Sequence, residues 1–263
     1  MGEILSVVNQ KGGVGKTTTC VNVSSCLAKT KKRALLVDLD PQSNATRGCG
    51  LDHHDINKTI NDALLLREDI QSCITSPEGS SFDILPATPL LTEAEVLLIS
   101  SSDKEYTLSN ILKKISVNYD YIIIDCPPSL NILTVNALTA STGVIIPVQC
   151  EFFALQGLSE LMTTIDTIKG SSNQGLLIKG ILRTMFDPRN NLSRDVSKQL
   201  LKFFSDKVYR TIIPRNIKIS ESPSHGKPVL LYDHNCLGSE AYVNLAAEVL
   251  NKGNFGGIKT KSV

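Results

Sequence analysis

The feature that most constrains this chain is a glycine-rich turn between an apolar run and a helical pattern. Asn9-Gln10-Lys11-Gly12-Gly13-Val14-Gly15-Lys16-Thr17-Thr18 follows the run 4–8, which reads as a buried strand, and leads into a helix expected over 17–28. Glycines in that setting let backbone N–H groups close around phosphate oxygens, and the helix N-terminus adds partial positive charge. Gly12, Gly13, Val14, Gly15 and Thr18 then form the cradle. Lys16 is expected to reach the β- and γ-phosphates, and the Thr17 hydroxyl to ligate Mg²⁺. The spacing departs from the general motif in two places: Gln10 stands where the first glycine belongs, and a second lysine, Lys11, opens the loop. The expected ligand is a nucleoside triphosphate.

Further apolar, β-branched runs occur at 34–39, 82–85, 121–125, 144–148 and 176–182, with a weaker one around Val208. Tyr121-Ile122-Ile123-Ile124 is what a parallel strand buried on both faces looks like. Amphipathic stretches at 90–100, 106–116, 132–140, 155–168, 192–204 and 241–250 lie between and after these runs. Strand–helix alternation with right-handed crossovers predicts an α/β fold, a single doubly wound, mostly parallel sheet flanked by helices. Ligands in such sheets collect at the carboxyl ends of the strands. Residues 52–60 and 76–81 read as surface loops. No linker splits the chain, so one domain over 1–252 is expected, followed by a flexible tail, 253–263.

Bulk properties narrow the partners. A formal charge of +1 over 263 residues means that any nucleic-acid surface must be a local patch. No run of about 18 apolar residues exists to span a membrane, and no basic segment followed by an apolar signal core precedes the first strand. The cysteines (Cys20, Cys26, Cys49, Cys73, Cys126, Cys150, Cys236) are scattered, without a C-x-x-C pair. Beside a nucleotide loop they suggest reduced thiols in a cytoplasm, most of them small apolar core fillers.

Carboxylates close two of the strands. The strand 34–39 brings Asp38 and Asp40, two residues apart and hence on one face, ahead of Pro41-Gln42. Asp125 ends the run 121–124 before Cys126-Pro127-Pro128-Ser129. Carboxylates at strand ends beside a phosphate loop can hold Mg²⁺ or orient an attacking water.

With these residues in view, the chain resembles the ParA/Soj branch of the ParA–MinD group of deviant Walker-A ATPases, almost end to end. Lys11 to Thr18 resembles the deviant loop, Asp38-Leu39-Asp40-Pro41-Gln42-Ser43-Asn44-Ala45-Thr46 the first switch, and Asp125-Cys126-Pro127-Pro128-Ser129 the Walker-B segment and second switch, where Cys126 often has Thr as counterpart. Pro147-Val148-Gln149-Cys150-Glu151, Thr184-Met185-Phe186-Asp187, Ile213-Pro214-Arg215-Asn216 and 220–228 match as well.

The resemblance implies ATP and Mg²⁺ as ligands, slow hydrolysis, and a homodimer with ATP between subunits. Lys11 would reach the partner's nucleotide. Asp40 would be the water-orienting carboxylate, making Lys11, Lys16 and Asp40 the catalytic set, with Thr17, Asp38 and Asp125 on the metal side. Met185, Pro214 and Asn216 are implied as adenine contacts, although Asn216 reads equally well as a turn residue. Relatives of this branch bind DNA without sequence preference as ATP dimers, which implies a nucleoid-associated, cytoplasmic protein, with Arg189, Arg215 and Lys218 against DNA phosphates and Lys198 and Lys202 nearby. The implied partner is a ParB-type centromere-binding protein that stimulates hydrolysis. The alternative is a MinD-like membrane-associated positioning ATPase. That function needs an amphipathic C-terminal helix, which the glycines Gly253, Gly256 and Gly257 do not favour.

Overall fold

The computed structural model describes residues 2–100 and 102–254. Seven parallel strands form one sheet: β1 (Glu3–Val7), β2 (Ala34–Asp38), β3 (Asp83–Leu85), β4 (Tyr121–Asp125), β5 (Gly143–Gln149), β6 (Leu177–Phe186) and β7 (Val208–Pro214), in the order β3-β2-β4-β1-β5-β6-β7. The helices are α1 (Lys16–Lys29), α2 (Asn44–Gly48), α3 (Ile60–Leu64), α4 (Leu91–Ile99), α5 (Thr107–Lys113), α6 (Ile132–Ala140), α7 (Ala154–Gly170), α8 (Asn191–Phe204), α9 (Ile217–Glu221), α10 (Val229–Tyr232) and α11 (Leu237–Asn254).

The continuous apolar strands are explained by two separate core layers. On β4, Ile122 and Ile124 face the layer that also holds Leu91, Leu133 and Leu158 from α4, α6 and α7. Tyr121 and Ile123 face the opposite layer, with Leu27 of α1 and Leu245 of α11. The two-residue period therefore survives, but both faces are dry and both sets must be apolar. Each fully buried Ile or Leu contributes about 1.5–3 kcal/mol by leaving water.

Parallel register places Asp38, Asp125 and Val7 side by side at the carboxyl ends of β2, β4 and β1. Those three ends flank the loop that follows β1. The expected sheet and the major helices are present. The strand expected over 176–182 runs four residues further, to Phe186, because Arg183 is buried within it. Its guanidinium donates to Ser197 Oγ (3.0 Å) and to the carbonyls of Tyr209 (2.9 Å) and Arg210 (3.2 Å).

The short helices α2, α3, α9 and α10 fall in segments too brief to show a 3.6-residue period. α3 announces itself only by its cap, where the Thr59 side chain and Asp62 close a capping box. Beyond the C-terminal boundary expected at residue 252, α11 continues to Asn254, and the rest of the expected tail, 255–263, lies outside the described residues.

Candidate functional site

Local backbone chemistry shapes the turn after β1. Gly13 and Gly15 take φ of +73° and +90°, values that a Cβ disfavours. A Cβ built on Gly12 or Gly13 would meet no protein atom within 4 Å, so the space above them is open to a ligand. Asn9 ties the turn to β5. Its Nδ2 donates to the Pro147 carbonyl (2.7 Å) while its Oδ1 accepts the Lys11 N–H (2.9 Å). Thr184 Oγ1 donates to the Val14 carbonyl (2.8 Å), fixing the far side of the turn to β6. No side chain caps the N-terminus of α1, so its first N–H groups face the open space with their dipole.

Lys16 is buried, and its Nζ donates to the Lys11 carbonyl (3.2 Å). Burial pushes its ammonium pKa down, while the charges of Asp125 and Asp40 oppose the fall. The loop lysine therefore lies folded over its own turn, beside two carboxylates.

The three aspartates are buried but not equivalent. Asp38 spends both oxygens on the chain itself: Oδ2 accepts the Thr46 N–H (2.8 Å) and hydroxyl (2.7 Å), and Oδ1 accepts the Asp40 N–H (3.2 Å). Burial raises its pKa to about 6 against the pull of those Thr46 bonds. Thr46 Oγ1 in turn accepts the Ala87 N–H (2.9 Å), so Asp38 anchors α2 to the sheet. Asp40 lines the cavity, with Oδ1 accepting the Gln42 N–H (2.9 Å).

Asp125 Oδ1 accepts from Cys20 Sγ (3.5 Å), whereas Oδ2 is buried without a hydrogen-bond partner among the described residues. Burial, then Asp38, raises the Asp125 pKa well above the carboxylate range, while Thr17 and Lys16 oppose the rise. A buried carboxylate oxygen beside Thr17 and Lys16, unpartnered among the described residues, has room for a cation. No group of three His, Cys, Asp or Glu side chains converges to hold a metal among the described residues. The Asp125 carboxylate and the Thr17 hydroxyl are oxygen donors of the kind Mg²⁺ takes, an ion that fills the rest of its shell with water and phosphate oxygens.

Replacing Thr46 by Val removes one bond to a buried carboxylate and leaves the Ala87 N–H unmatched. The expected loss of stability is about 2–4 kcal/mol, read as a fall in the thermal midpoint of the nucleotide-free protein.

These groups open into a cavity of 680 Å³ lined by Gly12, Gly13, Gly15, Lys16, Thr17 and Thr18 of the loop together with Val21, Asn22, Asp40, Gln42, Asn44, Arg47, Gly48, Pro128, Met185, Ser222, Pro223, Ser224 and Lys227. Among the expected adenine contacts, Met185 is in this wall, held at φ +48°. Pro214 is not: it lines a separate cavity with Phe186, Leu237 and Glu240. Asn216 caps α9, accepting the Ile219 N–H (3.2 Å), and so behaves as the turn residue.

Asn44 and the 222–227 turn lie in segments that resemble the family's motifs but carry no assigned nucleotide contact, and Arg47 lies just beyond the first of those segments. They are drawn together by a tertiary contact, Gly50 against Gly226, where a Cβ on Gly226 would stand 2.4 Å from the Gly50 Cα. Both glycines take positive φ.

The expected DNA contacts lie on the surface, two of them paired with carboxylates. Arg189 is largely exposed and grips Asp187 with Nε (3.0 Å) and Nη2 (2.8 Å). That bond holds the Asp187 pKa down at about 2. Lys218 bonds Glu221 (3.1 Å) and lies over the Tyr232 ring at 5.5 Å. Arg215 is exposed. All seven cysteines are free thiols and six are buried, matching their reading as core fillers. No described helix is long and apolar enough to cross a membrane.

Comparison with known proteins fits this geometry. A family model described as AAA domain matches residues 2–178. The sporulation initiation inhibitor protein Soj of Bacillus subtilis is 50% identical over 253 residues, covering 96% of this chain and 100% of that protein. The chain belongs to the ParA/Soj family. The chromosome partitioning protein ParA of Caulobacter vibrioides is 47% identical to this ParA/Soj-family chain, covering 95% of it and 94% of the relative. The crystal structure of cobyrinic acid a,c-diamide synthase from Mycobacterium smegmatis with bound ADP and magnesium matches with a TM-score of 0.85 at 33% identity over 100% of both chains.

Proposed function

We propose that this ParA/Soj-family chain is a Mg²⁺-dependent ATPase that dimerises on ATP, rides nonspecific double-stranded DNA and segregates chromosomes or plasmids with a ParB-type partner. The observation that carries the nucleotide reading is the buried Asp125 Oδ2, without a hydrogen-bond partner among the described residues, beside Lys16, Thr17 and the open glycine cradle. In this reading the loop N–H groups and Lys16 bind the phosphates, and Lys16 exchanges the Lys11 carbonyl for a phosphate oxygen. Thr17 and Asp125 would hold Mg²⁺, which supplies charge neutralisation at the phosphates. Asp40, fixed at the cavity wall by the Gln42 N–H, orients a water for in-line attack on the γ-phosphate. Met185 lies against the base.

Dimerisation gives Lys11 a place at the partner's nucleotide. An apolar pair supports an association face at the same rim: Phe152 and Phe153 are 74% and 67% exposed, with rings edge to face at 5.0 Å. They directly follow Glu151, the residue that holds Lys11. Exposed neighbouring aromatics of this kind are the usual anchors of a protein interface.

DNA binding falls to Arg189, Arg215 and Lys218. One patch on a nearly neutral chain is weak, and two patches joined in a dimer gain by avidity, which makes retention depend on ATP. Arg189→Glu is expected to lower ATP-dependent retention on nonspecific duplex at low salt at least tenfold, on the order of a lost and reversed phosphate contact in each subunit. Unchanged retention would move the DNA surface elsewhere. Working on DNA, the protein is cytoplasmic and nucleoid-associated.

A further inference from the structure

The front lysine of the phosphate loop is held twice by its own chain. Its N–H bonds Asn9, whose amide bonds the Pro147 carbonyl of β5. Its Nζ meets Glu151 Oε2 at 2.5 Å, two residues past the end of β5. Glu151 is itself fixed there, its N–H donating to the Gln149 carbonyl (2.8 Å). Both side chains of the pair are about half exposed, at 47% and 45%, so another ligand can reach and exchange either one.

We propose that Glu151 is a positioning residue that keeps Lys11 on its own chain, and that two chains can associate across ATP only by taking Lys11 away from it. This rests on the reading that Lys11 reaches the partner's nucleotide. A symmetric dimer breaks the pair twice. An exposed ion pair weights an equilibrium by roughly two- to fivefold, so two together oppose association about tenfold. The neighbouring Phe152 and Phe153 act the other way, since a second copy buries their apolar surface. Adjacent residues thus resist and favour association, and Glu151 sets the protein concentration at which ATP dimers appear.

The test is sedimentation equilibrium of wild type, Glu151→Gln and Glu151→Asp with Mg²⁺ and the slowly hydrolysed analogue ATPγS, beside titration of each monomer with fluorescent ADP. Glu151→Gln is expected to tighten the dimer about tenfold, with Glu151→Asp near wild type because its charge is kept, and with ADP affinity the same in all three. A residue that merely supported the fold would instead lower ADP affinity in Glu151→Gln. Wild type that dimerises beside a Glu151→Gln variant that dimerises equally or more weakly, with ADP affinity intact, overturns the proposal while leaving the dimer reading in place. Absence of dimers in every variant overturns both.

Discussion

Asp40→Ala is expected to lower phosphate release by about 10²–10⁴-fold, the range for removing a positioned acid or base, with nucleotide affinity within a few fold of wild type. Asp40 lines the cavity, but its ordered bond is to the chain, the Gln42 N–H on Oδ1. In the proposed mechanism it meets the attacking water rather than the nucleotide, so truncation removes a contact made on the way to the transition state and spares ground-state binding. The variant should also fold well. Asp40 is one of the charges that raise the pKa values of Asp38 and Asp125, so its removal relieves repulsion among buried carboxylates. Single-turnover phosphate release, paired with fluorescent-ATP titration, checks both halves. Hydrolysis at the wild-type rate would take Asp40 out of the reaction.

Lys16→Gln is expected to weaken ATP binding roughly 10- to 100-fold, the weight of a charge-assisted hydrogen bond to phosphate. The Lys16 ammonium is buried, and burial alone lowers its pKa. A cation kept in such a place, with no carboxylate bonded to it among the described residues, is poised for an anionic ligand. Its hydrogen bond to the Lys11 carbonyl is one that a phosphate oxygen readily replaces. Affinity within threefold of wild type by the same titration would show that the loop N–H groups carry the phosphates alone. Dimerisation and DNA retention should fall with the lost nucleotide.

How much of this was legible in sequence depended on whether the signal was local. The loop was legible because glycine, lysine and threonine act through their own backbone and side chains within ten residues. The strands were legible because two dry sheet faces demand apolar residues without a break. The strand expected over 176–182 stops just before Arg183, and the fold carries it on by satisfying that guanidinium with Ser197 and two carbonyls of β7.

The three aspartates are legible as strand-end carboxylates, but the hydrogen bonds that distinguish them are not. Only the fold shows that Thr46 folds back on Asp38, and that Asp125 Oδ2 has no hydrogen-bond partner among the described residues. Likewise the far wall of the cavity, from Arg47 to Lys227, depends on the Gly50–Gly226 contact between segments distant in sequence. The left-handed backbone of Met185 has no signature in its residue type. Asn216 has a local signal, an Asx cap, and the fold uses it in that way.

The central claim, that ATP gates the chain onto DNA, is tested most directly by retention of the wild-type protein on nonspecific duplex with ATP, with ADP and without nucleotide, each across a salt series. The account predicts retention with ATP alone, falling steeply as salt rises because cations of the protein replace counterions of the duplex. Equal retention in all three states, or none in any while the protein still dimerises on ATP, would contradict it.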